Sequence, residues 1–176
     1  IPSAKGVGEY VNELTDYLNQ DSVRAKFLID TASAYKETPL PFFSKEGNSV
    51  TQQVEFMKGR LINPDDRMVR DLFGAENFVS GNRGFLNESD LGIVVTQKFL
   101  QTLHYPDSAR VVYMEFEKDT SVEPPVYFQV PVVIRAVIKN IPNRNKFLVT
   151  DHFFKAYKTN GESVFDFRHD NRKQIV

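Results

Sequence analysis

The chain has no cysteine, no tryptophan, no long apolar run and no excess of charge of either sign. Without cysteine there are no disulfides, no thiol nucleophiles and no thiolate zinc sites. The apolar runs are four residues long or shorter, far below the roughly 18 that a bilayer-spanning helix needs. With 22 basic and 23 acidic residues the net charge is -1, so nothing draws the chain to a phosphate backbone and nucleic acid is not an expected partner. At 176 residues a chain buries roughly 70% of its unfolded surface, enough for one domain or two small lobes without a metal or disulfide staple. An initiating Met and a charged-then-apolar leader are also missing. The abrupt start at Ile1-Pro2 and the stop at Gln174-Ile175-Val176 lead us to expect a piece of a longer protein.

What is there is organised around residues 126–154. Every even position from Val126 to Ile138 (Val126, Phe128, Val130, Val132, Ile134, Ala136, Ile138) is apolar, and the odd set holds Tyr127, Gln129, Pro131 and Arg135. A side chain in a strand changes face at each residue, so this pattern predicts one long, half-buried strand. Pro131 cannot donate to a ladder and should face an open edge or a bulge. Asn140-Ile141-Pro142-Asn143 then turns the chain, and Thr150 is placed to cap a short helix bearing Phe153, Phe154 and Tyr157. Upstream, Val7, Val11, Leu14 and Leu18 recur at helical spacing, joined by Tyr10 and Tyr17. Residues 24–36 alternate like a strand that Pro39 and Pro41 close, and Val50, Val54 and Phe56 mark a second strand ending near Gly59-Arg60. Asn63-Pro64-Asp65-Asp66 reads as a helix start, with Met68, Val69, Leu72 and Phe73 on its apolar face and Gly74 as its stop. Residues 78–90, rich in Gly, Asn and Ser, read as a surface loop suited to contact. Ile93-Val94-Val95 is a short buried strand before a helix capped by Thr96, and Val112, Met114 and Phe116 mark the strand that precedes the long one. No repeat of fixed period is visible. The expected fold class is α+β: a mixed, largely antiparallel sheet with three to four short helices, in one or two lobes.

Catalytic motifs fail on context. Ser33-Ala34-Tyr35-Lys36 matches S-x-x-K, but that chemistry needs Ser and Lys one helical turn apart, whereas a strand throws them to opposite faces. His104, His152 and His169 share no ligand spacing, Gly6-Val7-Gly8 follows no strand, and Asp65 and Asp66 are accounted for by the helix dipole. No catalytic residue, cofactor or metal is therefore expected. Fifteen Phe mostly sit at core parity. The exception is Phe42-Phe43, set between Pro41 and a polar loop; with Phe78, Asn82, Arg83 and Phe85 it forms the candidate partner-contact set.

Three segments together resemble the extracytoplasmic domain of MacB-like and FtsX-like ABC transporter permeases. They are Val54-Glu55-Phe56-Met57-Lys58-Gly59-Arg60, Ile93-Val94-Val95-Thr96-Gln97-Lys98-Phe99-Leu100, and the stretch from Val130-Pro131-Val132 to Asn140-Ile141-Pro142. Ala136 stands where the family often has Gly, and Pro106-Asp107-Ser108-Ala109-Arg110 replaces its usual P-x-G-K. The resemblance implies that residues 1–176 are a single non-enzymatic module on the periplasmic face of the bacterial inner membrane, cut short at its C-terminal end. It also implies a cytoplasmic ABC ATPase reached through membrane helices, a periplasmic partner protein or transported substrate, and a dimeric parent. The competing expectation is a stand-alone secreted or periplasmic ligand-binding protein or hydrolase.

Overall fold

The computed structural model describes residues 7–27, 34–64, 67–83, 91–119, 126–156, 158–159, 162–163 and 173–175. Six of its strands close into a β-barrel: β1 (Ala34–Glu46), β2 (Ser49–Ile62), β4 (Ile93–Thr96), β5 (Val111–Asp119), β6 (Val126–Ile138) and β7 (Phe147–Thr150). They follow one another around the wall in the order β1-β2-β7-β4-β6-β5, and β5 returns to β1. β3 (Phe78–Gly81) adds to β6 outside the ring, and β10 (Lys173–Ile175) adds to the start of β1. β8 (Lys158–Thr159) and β9 (Glu162–Ser163) pair only with each other. The expected α+β fold with an open sheet is thus wrong. The chain is mostly β, and the α-helices among the described residues are α1 (Val7–Leu18), the longest at 12 residues, then α2 (Asp21–Phe27), α3 (Arg67–Asp71), α4 (Gln97–Thr102) and α5 (Asp151–Ala156).

The barrel carries an internal two-fold relation. Exchanging β1 with β5, β2 with β6 and β4 with β7 turns the strand order into its own reverse, so each half is a hairpin followed by a short strand and helix. The short strands are swapped: β7 lies parallel to β2 of the other half, and β4 parallel to β6, while β4 and β7 meet antiparallel at the centre. Ile93-Val94-Val95-Thr96 and Phe147-Leu148-Val149-Thr150 are both buried throughout. Each ends in a Thr whose Oγ1 accepts the N–H three residues on, Phe99 at 3.1 Å and Phe153 at 3.3 Å. Both Thr caps expected from the sequence are present; Asp65 and Asp66 of the helix start expected at Asn63 lie outside the described residues.

Phe42, Phe99 and Phe147 meet edge to face inside the barrel, with ring centroids 4.9 to 6.3 Å apart, the arrangement that the ring quadrupole favours. Leu40, Met57, Val95, Met114, Val132 and Ile134 pack around them. A second, smaller core lies outside the wall, where Val69 and Phe73 of the α3 segment meet Val94, Ala136, Ile138 and Leu148. β6 feeds both. Its pairing with β4 slips between Ile134 and Ala136, and a one-residue slip reverses the side on which later side chains stand. Val132, Ile134 and Val137 therefore face the barrel interior, while Ala136 and Ile138 face the second core.

Other local expectations are corrected as well. Residues 24–27 belong to α2 and not to a strand, with Asp21 in its first turn and Arg24 and Lys26 in its last, the charge order that the helix dipole favours. Pro39 and Pro41 do not close a strand, because β1 runs through both. Residues 78–81 of the expected loop are strand β3. α1 occupies the expected span, but Leu14 of its apolar stripe is 37% exposed.

Candidate functional site

The six residues proposed for partner contact do not form one surface. Phe42 is fully buried in the barrel and Phe43 is 3% exposed, so the one Phe pair read as an exception to the core is core. The reason lies in the prolines beside it: they look like strand ends, yet the chain stays extended and carries both rings into the wall. Phe85 lies outside the described residues. Phe78, Asn82 and Arg83 do come together at the far end of β3, where the Arg83 guanidinium lies 4.5 Å from the centre of the half-buried Phe78 ring, a cation–π contact. The Asn82 N–H donates to the Arg135 carbonyl at 2.7 Å. Gly81 holds φ at +100°, and a Cβ there would strike the Arg135 carbonyl, so this corner requires glycine.

This corner belongs to the segment that breaks the barrel's two-fold relation. Residues 63–92 link β2 to β4, and the matching link from β6 to β7 is only residues 139–146. Asn77 fastens the longer link to the barrel. Its side-chain amide donates to the carbonyls of Leu72 (2.8 Å) and Asn140 (2.9 Å), and its Oδ1 accepts the Asn140 N–H at 2.9 Å. No sequence signal singled out Asn77, since its partner is 63 residues away.

A second cluster gathers the residues that carried the family resemblance. Gly59 sits against the Phe147 ring, in space a Cβ would fill. Arg60 is 5% exposed and donates from Nη2 to the Pro142 carbonyl at 3.1 Å. Asn145 donates from Nδ2 to the same carbonyl at 3.1 Å. Lys58 pairs with the buried Glu37 carboxylate at 2.7 Å. The Gly-Arg of one segment and the Ile-Pro of another are therefore a single joint between β2 and the 3₁₀ turn at Pro142–Arg144. Such a joint fixes the end of β2 against the turn that leads into β7.

The third notable feature is the seam where β5 meets β1. A single residue pair, Phe42 with Met114, registers these strands. The Tyr105 hydroxyl fills the gap beside it, donating to the Phe43 carbonyl at 3.0 Å and accepting the Tyr113 N–H at 3.3 Å. The Lys45 N–H reaches the Leu103 carbonyl at 2.9 Å. Residues 39, 41 and 43 share the same side of β1, so the two prolines place their missing N–H groups along this open edge. Because the Tyr113 N–H points to the seam, its cross-strand neighbour Pro131 turns away from β5, where a missing donor costs nothing. Burial pushes the Tyr105 hydroxyl above its ordinary pKa.

Among the described residues no group of three or more His, Asp or Glu could hold a metal ion. His104 and His152 are exposed and His169 lies outside the described residues. Lys36 is on β1, which fits the strand reading of the S-x-x-K match, and Ser33 lies outside the described residues. No described helix is long and apolar enough to cross a membrane. Fold and surface together define a packed six-stranded β-barrel to which β3 and β10 are added. No protein-family model matches the chain, and no curated protein matches it.

Proposed function

We propose that this chain is a non-catalytic extracytoplasmic module of a MacB-like or FtsX-like ABC transporter permease, carrying motion from an ATPase across the inner membrane to a partner or substrate in the periplasm. The observation that carries this reading is that the three resembling segments fall on β2, β4 with α4, and β6, strands joined through β7 into one side of the barrel. A barrel filled by its own Phe rings and wedged by buried joints suits a rigid transmitter of motion. In this reading the parent protein is a dimer in the membrane, and the Phe78–Arg83 corner is a partner contact.

The test uses the full-length protein in bilayers. With no cysteine in these 176 residues, single spin labels can be introduced ahead of Ile1 and at the true C-terminal junction of the module with the membrane. Equal depth of the two labels, both at the outer membrane surface, is expected. Labels on opposite sides of the bilayer, or a native C-terminus remote from it, would sink the reading.

A further inference from the structure

Three parallel stripes run along α1, each displaced from the next by one residue. Val11, Thr15 and Leu18 are half-buried or buried against the body of the protein. One position earlier, Tyr10, Leu14 and Tyr17 are 64%, 37% and 50% exposed. One position earlier again, Glu9, Glu13 and Asp16 are exposed and acidic, and the helix has no basic residue. Spacings of four and three keep each set on one line of the helix. The apolar arc of α1 is thus wider than the surface it covers, and the uncovered half is bordered on its outer side by three carboxylates.

We infer that this face docks a cationic amphipathic helix of another protein, whose apolar stripe covers Tyr10, Leu14 and Tyr17 and whose flanking Lys or Arg side chains meet Glu9 and Asp16. Charge selects this occupant over its rivals. A second copy of α1 would bring a second row of carboxylates to the same contact, and an anionic lipid surface would be repelled by the first. Tyr is also the residue type most suited to such a contact, since it offers a large apolar body with few rotamers to freeze. The inference concerns a different surface from the Phe78–Arg83 corner and stands apart from the permease reading.

The experiment is a titration of the chain with a synthetic 18-residue helix of Leu and Lys, Leu at helical spacing, followed by NMR amide shifts and calorimetry. A Leu and Glu helix of the same pattern and phosphatidylglycerol vesicles serve as competing probes. Saturable 1:1 binding is expected, with shifts confined to α1 and its neighbours. Tyr10→Ala with Tyr17→Ala, and separately Glu9→Lys with Asp16→Lys, should each weaken it at least about tenfold. Phe56→Ala, at a 72% exposed ring on the barrel wall, should leave it unchanged. Because all these side chains are exposed, each variant should keep its fold, checked by its amide spectrum. Equal binding of the acidic helix, shifts spread over the barrel, vesicle binding that needs the tyrosines, or self-association lost with them would overturn the inference.

Discussion

Tyr105 makes more of the barrel's closure than its position suggests. It lies in the connection after α4, yet its hydroxyl joins β1 to β5 where their pairing has lapsed. Tyr105→Phe keeps the ring and leaves a buried carbonyl and N–H without that bridge, so a loss of about 1–3 kcal/mol is expected by denaturant titration. The same variant tests a pH effect. The hydroxyl's folded pKa stands above its ordinary value of 10.0, so the native state holds the proton more tightly than the unfolded chain. Its contribution is complete below that ordinary value and is lost as pH rises through the folded one. The stability gap between wild type and Tyr105→Phe should therefore be constant through neutral pH and narrow above it; a gap that widens in alkali would contradict the seam. Gly59 is the other sensitive position. Gly59→Ala drives a methyl into the Phe147 ring, with an expected cost of about 1–3 kcal/mol.

Elements were legible where the signal is local. The alternation of β6, the limits of α1, and the Thr96 and Thr150 caps can be read from neighbouring residues, and the structure has all of them. Replacing either Thr by Ala should cost about 0.5–2 kcal/mol, and because antiparallel pairing puts the two caps at opposite ends of the β4–β7 pair the two costs should add. Elements were misread where a distant partner decides. Pro39 and Pro41 would break a strand bonded on both edges, but among the described residues β1 has no strand partner on that edge between β10 and β5. The slip in β6 at Arg135 exists only because β4 pairs there, so seven matching residues gave no hint that the last two leave the barrel. Alternation alone did not show that Phe42 is inside and Phe56 outside. Phe42→Ala should cost about 3–5 kcal/mol in unfolding experiments, and Phe56→Ala less than about 0.5; comparable losses would mean that the wall of β1 and β2 is turned the other way.

At the scale of the whole molecule the barrel's two-fold relation escaped the sequence because its halves have unequal connections. Residues 63–92 in one half stand for residues 139–146 in the other, so matched strands recur at no fixed period. The short motif Val-Thr before each helix, with Phe at the third position after Thr, is one trace of the likeness in the sequence. Closure was hidden too, since one residue pair between β1 and β5 separates a barrel from an open sheet. The contact residues divided along the same line: the corner at Phe78, Asn82 and Arg83 lies on the added link and remains a surface, while Phe42 and Phe43 lie on a wall strand and became core. The most direct measurement is therefore across the seam. Nuclear Overhauser contacts between the backbones of Phe42 and Met114 are expected in the same sample as those between Val94 and Leu148 at the opposite side of the ring. If the Val94–Leu148 contact appears, the Phe42–Met114 contact is missing, and the Phe43 and Tyr113 amides exchange as fast as those of an open strand edge, the sheet is not closed.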